Sequence, residues 1–489
     1  MAISHKNIQD KIGHSICFIM NRLFLLFASV FNLLMVNNTY SQERIQLQPD
    51  SFYEINIRHL SLKENVKYSY QGPVYTDSLL YNPHLLLQVL PHILGDNMKP
   101  SYGISTWLQF SLGNGTAIVS EVNGRLADNK DQPYLGKSWR SVQGWTNQSF
   151  LRWKGKRKYY GEFSINVGRF YSKLGPGLTG NLLVSSRSRP MDQISFEYKK
   201  SINKDLEVKY YNQTSALDKY GNLNRFMIVH RYQLNWASFH LAATEAMIFS
   251  RSGGIDWSLI NPISFLYLEQ VNGPNLFGNT LGTIEIGYRN KNIHLYSEFL
   301  IDDVQFDSET NHDLEPSEFG VLAGIEYGRR KIYVNAEAIA ISNRTYKTPD
   351  ISEWALHRNQ PIGYELGSDL KRLKLLIRYN LRARWYIDVE RDWLARGEGE
   401  IYTPWDTPWL EDGVTIENGY SESFPTGVVE TSNATNFKVS RHWSREKYVI
   451  FGISYRDIHN MNHIPQNANH DLQISFGLSW AAEYYRQLQ

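Results

Sequence analysis

The chain has 489 residues, with 51 Lys and Arg against 49 Asp and Glu and a formal net charge of +2. Such a balance offers no basic surface for nucleic acid. No continuous run of ~18 apolar residues follows the first forty, which excludes helical membrane spans. Aromatic residues are plentiful, with 31 Tyr and 13 Trp, and the one cysteine is Cys17.

The amino terminus reads as an export signal. An apolar run from Leu23 to Val36 follows Arg22, and small residues at Thr39 and Ser41 precede Gln42. That is the order of a secretory leader, and the run is shorter than the ~20 residues needed to span a bilayer. Met20 also makes a plausible start, with residues 1–19 an upstream extension. Cys17 lies in this leader, so the mature chain is expected to hold no cysteine. Secreted soluble proteins often use disulfides, whereas barrels do not need them.

Residues 42–100 are less regular. From Asp77 to Leu94 the sequence is leucine-rich and broken by Pro83 and Pro91. It reads as short helices in the periplasm or plugging a lumen, or equally as a region supplying one strand, for example around Asn65–Tyr70.

From Tyr102 to Trp480 a period of two takes over. Phe319, Val321, Ala323, Ile325 and Tyr327 alternate with Glu318, Gly320, Gly324 and Glu326. Ile332, Val334, Ala336, Ala338 and Ala340 alternate with Tyr333, Asn335 and Glu337. Successive strand side chains point to opposite faces, so each segment has one apolar and one polar face. A soluble sandwich would alternate too, but the linkers differ in length in a regular way. Short turns are expected at Gly113-Asn114-Gly115, Gly155–Arg157, Ser201–Lys204, Trp236-Ala237, Asn290-Lys291, Arg329-Arg330, Leu381 and Ser444–Lys447. Long connections fall between them at 126–144, 169–192, 215–223, 250–279, 303–316, 343–368, 393–433 and 458–470.

Short periplasmic turns and long external loops are the habit of outer-membrane barrels. The segments predict an all-β, antiparallel transmembrane barrel over residues 101–489. Seventeen strands are visible, and an amino terminus left in the periplasm requires one more, which gives about eighteen. The expected place is the cell outer membrane, with membrane lipid around the barrel, and the expected state is a monomer.

Several short motifs share one resemblance. Gly175-Pro176-Gly177 leads to Leu182-Leu183-Val184-Ser185-Ser186 and Arg189-Pro190. Glu245–Phe249 leads to Leu259–Phe265, Leu295–Phe299 runs into Asp302-Asp303, and Gly363–Gly367 precedes a basic strand. Together these resemble the Wzi capsule-assembly family of outer-membrane barrels, within a wider family that includes the gliding-motility protein RemB. The resemblance implies a non-catalytic, lectin-like protein that binds or organises capsular or surface polysaccharide, with gliding motility as the alternative. It departs from the family at the carboxy end, where no terminal aromatic follows Trp480 and Tyr485, and at the amino end, where only 77–94 could stand for a helical bundle. A diffusion porin is a third reading, from a different class.

The candidate glycan contacts are Tyr402, Trp405 and Trp409, interleaved with Asp406, Glu411 and Asp412 in the longest loop. Aromatic faces stack on sugar rings and carboxylates accept from their hydroxyls. Arg187 and Arg189, with Lys173, offer charge to an acidic polymer, and Trp354 and His357 mark a second loop. Gly175-Pro176-Gly177 reads as a sharp re-entrant turn, since glycine reaches unusual backbone angles and proline fixes one. Glu298, Asp302 and Asp303 could form a paired-carboxylate or cation site. His294, Tyr296 and Glu298 share the non-lipid face of one strand and read as a lumen hydrogen-bond network. No Gly-x-Ser-x-Gly elbow or zincin His pair is present, and neither enzyme activity nor a cofactor is expected.

Overall fold

A computed structural model describes residues 83–488, except 97–98, 127–141, 158–160, 262–263, 274–275, 305–309, 382–383, 444–446 and 481. The leader, residues 42–82 and the Asn65–Tyr70 stretch lie outside the described residues. The fold is one antiparallel sheet of nineteen strand segments, with a two-residue hairpin (356–357 with 360–361) in one loop.

In chain order the strands are β1 (His84–Asp96), β2 (Lys99–Ser111), β3 (Thr116–Leu126), β4 (Val142–Arg157), β5 (Gly161–Phe170), β6 (Met191–Ser201) and β7 (Leu206–Ala216). β8 (Asn224–Trp236), β9 (Phe239–Arg251), β10 (Asn279–Arg289), β11 (Ile293–Asp303), β12 (Glu318–Arg329) and β13 (Ile332–Ile341) follow. The rest are β14 (Leu370–Asn380), β15 (Trp385–Arg396), β16 (Glu430–His442), β17 (Tyr448–His459), β18 (Ala468–Ser479) and β19 (Ala482–Gln487). From β1 to β17 each pairs with the next, and β1 pairs with β2 on one side and with β18 and β19 on the other. β18 and β19 keep a single register against β1, because His92 faces Ser479 and Val89 faces Ala482. They are one strand interrupted opposite Pro91, whose carbonyl accepts from the Trp480 N–H at 3.2 Å. A residue's N–H and C=O point to the same side of a strand, so proline leaves that edge short of a donor where the partner breaks. The ladder thus returns to its first strand.

The two faces of this ladder are inverted relative to a soluble protein. Outward positions such as Leu151, Ile194, Ile284, Ile286, Ile377 and Phe451 are exposed. Inward positions such as Gln109, Glu121, Gln213, Glu285, Arg378 and Lys438 are buried. Inward charges are paired with one another: Arg231 with Glu285, and Arg378 with Asp388 at 2.5 Å. A polar interior satisfies its own groups this way, since a lone buried charge is costly.

The leucine-rich stretch requires a correction over part of its length. His84–Asp96 is strand β1, not a helix or a plug. Its inward Leu90 packs with Trp107, Val119, Phe150 and Phe170 inside the sheet. Inward Leu86 and Leu90 thus interleave with inward His84 and Gln88, which blurs the alternation that betrays the other strands.

Candidate functional site

The long-loop end of the sheet is filled by in-folded chain, and wall carboxylates explain how. Tyr296, Gly324 and Glu337 are opposite one another on β11, β12 and β13. The Tyr296 hydroxyl crosses Gly324 and donates to Glu337 Oε2 at 2.7 Å. A Cβ on Gly324 would stand 2.2 Å from the tyrosine ring, so only glycine lets the ring pass. Gly324→Ala is expected to push Tyr296 off Glu337 and lower the thermal midpoint by several degrees, read by heat-modified migration on gels. An unchanged midpoint would mean the ring has another route.

Glu337 also accepts the backbone N–H groups of Leu178 at 2.8 Å and Thr179 at 2.9 Å, together with the Thr179 hydroxyl. Two strands back, Glu298 accepts the N–H of Leu182, 3.2 Å from each carboxylate oxygen. These bonds hold the connection between β5 and β6, residues 171–190, inside the sheet. Its turn is Gly175-Pro176-Gly177. Gly175 has φ +130°, and a Cβ there would meet Asn181 Nδ2 at 2.3 Å and Glu298 Oε2 at 2.8 Å. Leu174 pairs with Val184 across the turn. Leu182 and Val184 then join inward residues of the wall and Tyr346, Ile362 and Tyr364 in an apolar cluster. A hydrophobic core inside the sheet is the result.

Two further connections close over this one. Residues 342–369 descend onto it, with the Tyr346 hydroxyl donating to the Leu182 carbonyl at 2.6 Å and the Ser185 N–H donating to the Ile362 carbonyl at 2.9 Å. Asp302 accepts the Tyr346 N–H at 2.5 Å. Residues 397–429 lie above, held by Asp369, which accepts from the N–H groups of Gly399 at 2.8 Å and Thr426 at 3.0 Å. Lys347 Nζ donates to the Glu400 carbonyl at 3.2 Å, and burial pulls this amine down to about 8.

The residues singled out from the sequence separate into two groups. Trp409 is 2% exposed, with the Arg344 guanidinium 4.9 Å from its ring centre. Arg344 in turn binds Asp406 at 3.0 Å and Glu422 at 2.9 Å. Arg187 is buried on Glu365 at 2.9 Å. Trp354 is buried and donates to the Thr348 carbonyl at 2.8 Å, and buried His357 faces Asp218 at 3.5 Å. Trp354 thus braces its own connection, while the others tie one loop to another. Tyr402, by contrast, is 53% exposed, and Trp405 is half-buried, edge-on to Trp409 at 6.4 Å. Arg189 is half-buried beside them, close enough to act on Tyr402 and His357 electrostatically. Asp406, Glu411 and Asp412 are exposed.

The acidic strand end does not form a joint site. Glu298 and Asp302 each accept a backbone N–H of a different loop, and among the described residues no three His, Cys, Asp or Glu gather as a metal set. Glu326 takes His294 at 2.6 Å. Glu337, Asp369 and Arg344 organise the interior, and the sequence reading did not single them out. For Glu337 the available signal was an acid on the polar face of a strand, paired across the sheet with Gly324. Below the filled zone lies a cavity of about 760 Å³, lined in part by Lys173, Lys209, Arg231, Glu197 and Glu326 and reaching the short turn at Ala237-Ser238.

Comparisons agree with this architecture. No family model matches the chain, and no curated protein does. Among solved structures, Escherichia coli Wzi superposes with a TM-score of 0.53 at 14% identity, over 88% of this chain and 95% of that one. It is described as an outer membrane protein involved in group 1 capsule assembly and a carbohydrate-binding β-barrel. The fold is that of an outer-membrane β-barrel. OprD of Pseudomonas aeruginosa (TM-score 0.42, 8% identity, 82% and 94% covered) and OccAB4 of Acinetobacter baumannii (0.41, 9%, 82% and 98%) are more distant in shape.

Proposed function

We propose that this chain is a monomeric, eighteen-stranded outer-membrane barrel that binds surface or capsular polysaccharide on its long-loop rim and conducts no solute. The observation that carries this reading is the in-folded segment 171–190, held on Glu298 and Glu337 and sealed by an apolar cluster. A diffusion pore needs its lumen, whereas here that space holds packed chain. Long loops spent on filling still leave a rim of rings and charges above. The likeness to a carbohydrate-binding barrel is consistent with glycan binding there. Residues 1–41 would be removed on export, and residues 42–83 would lie in the periplasm.

In this reading the polymer meets Tyr402, Trp405 and Arg189, while Trp409 and Arg187 act from behind by fixing the loop. Exposed rings stack on sugars weakly, and repeats along the polymer raise retention by avidity. Replacing Tyr402 and Trp405 together by Ala is expected to weaken retention on immobilised surface polysaccharide about tenfold, judging from ring-stacking energies of ~1–3 kcal/mol on nucleic-acid bases. The folded barrel should persist. Unchanged retention would move the contact surface elsewhere. Full retention of capsule in a gene deletion, with spreading on agar lost, would favour gliding motility.

A further inference from the structure

The connection between β9 and β10 lies on the other side of the wall from every loop described so far. Cross-strand partners share a face, so Ile284 and Ile286 on β10 place Ala243 and Leu241 of β9 on the outward face. Glu245, two residues on from Ala243, is outward as well. It stands opposite His230 of β8, which stands opposite Asn212 of β7. Three polar residues thus form a row across the face that elsewhere carries exposed Tyr232, Leu234, Leu241 and Ile284. The row sits six residues from Trp236 and Phe239 at the short turn, about 15 Å up at ~3.3 Å per residue and a tilt of ~40°. That height is inside an apolar band ~25 Å tall.

The row is not bare. A short helix, α1 (Leu266–Asn272), lies over it. Glu245 accepts the N–H groups of Leu266 at 2.8 Å and Tyr267 at 2.7 Å, and His230 Nδ1 meets the Ser264 carbonyl at 3.2 Å. From β10, the outward Thr280 hydroxyl donates to Gln270 at 2.6 Å. Leu259 and Leu266 pack on outward Phe226, Ile228, Met247 and Phe249. The helix and the turn before it cover Glu245 and His230, and the helix turns Phe265, Tyr267, Leu268 and Val271 away from the sheet, with Phe277 beside them. Val271 and Phe277 are 63% and 73% exposed, an apolar surface continuous with the belt of β8–β10.

We propose that α1 and its flanks Phe265 and Phe277 are an in-plane, lipid-contacting patch that seals a polar gap in the barrel's outer face, with acyl chains as the occupant. The inference rests on the membrane reading above. Continuity with the apolar belt and the depth of the covered row favour lipid over a second copy of the chain. An apolar helix face lying along a membrane is a familiar arrangement, and here two side chains of the wall, from β9 and β10, hold the helix against it.

The test is spin-label accessibility in vesicles of phosphatidylcholine and phosphatidylglycerol, on the full chain with Cys17→Ser. Labels on Val271→Cys and Tyr267→Cys, one turn apart on one helix face, guard against failure of either variant. Ile284→Cys marks the belt and Glu417→Cys the external loop. Labels at 271 and 267 should match 284 in collisions with dioxygen and show several-fold fewer collisions with a water-soluble nickel chelate than 417. Nickel access equal to that at 417, with lipid contact at 284, would overturn this inference alone. Low access to both probes would also overturn it, since protein would then cover the helix. Nickel access at 284 itself would overturn the membrane reading together with the inference.

Discussion

Replacing Glu298 and Glu337 together by Ala is expected to turn a silent barrel into a conducting one. In planar bilayers the parent chain should show no steady current, and the double variant should show discrete openings. The reason is the number of bonds that end on two side chains. Leu178, Thr179 and Leu182 donate backbone N–H groups to them, and the hydroxyls of Thr179 and Tyr296 join on Glu337. A hydrogen bond contributes roughly 0.5–1.5 kcal/mol, and an orphaned buried N–H costs about 1–3 kcal/mol. With all five lost, the segment keeps its apolar packing, the Tyr346–Leu182 and Ser185–Ile362 bonds and the Arg187–Glu365 pair, which tie it to the upper loop 342–369, and loses its polar ties to the wall. The wall strands themselves stay paired, so the barrel should survive while the segment leaves its seat. Glu→Gln at both positions keeps one acceptor oxygen each and should give an intermediate current. A silent double Ala variant would mean that the upper loops alone close the lumen.

Trp409→Ala is expected to loosen the whole external loop without touching the barrel. The ring is buried, carries the Arg344 guanidinium on its face, and meets Trp405 and Tyr420 edge-on. Truncating a buried tryptophan costs about 3–5 kcal/mol, and the cation–π contact adds ~0.5–2 kcal/mol. Arg344 would keep Asp406 and Glu422 but lose the surface that fixes its plane. Limited proteolysis of purified protein should then cut within 397–429 at least tenfold faster, while heat-modified migration is retained. Glycan retention should fall as well, because Tyr402 and Trp405 would no longer be held. Unchanged cleavage would show that Asp369, Lys347 and the Arg344 ion pairs fix the loop without the ring.

The architecture was legible because it follows from two local rules, and the site was not because it depends on register. Alternation and linker length located most short turns to within about a residue, but the turn expected at Gly155–Arg157 is strand, because β4 stays paired with β5 as far as Arg157 opposite Gly161. Trp236-Ala237 became Ala237-Ser238, and Arg329-Arg330 became Arg330-Lys331, where positive φ falls on Ala237 and Arg330. Neither turn contains glycine or asparagine, so the sequence held no marker for its centre. β1 hid behind leucines on both faces. Trp409 and Trp405 look alike in sequence, and only the position of Arg344, 65 residues before Trp409, makes one a buried anchor and leaves the other half-buried near the rim. Glu245 is a similar case. It reads as an ordinary polar residue of a strand until its cross-strand partners show that it faces outward.

The distance in sequence between the in-folded segment and its anchors sets an order of events. Glu298 and Glu337 lie 116 and 158 residues after the groups they accept from. Residues 171–190 therefore cannot settle while β11 and β13 are unpaired, however early they enter the membrane. Contacts this remote form late, since chain closure must precede them. Until then the segment's N–H groups must be met by water, so the seat of the segment is wet in a half-built barrel and filled by chain in a finished one. Dehydration of that seat is thus a report that the later strands have arrived.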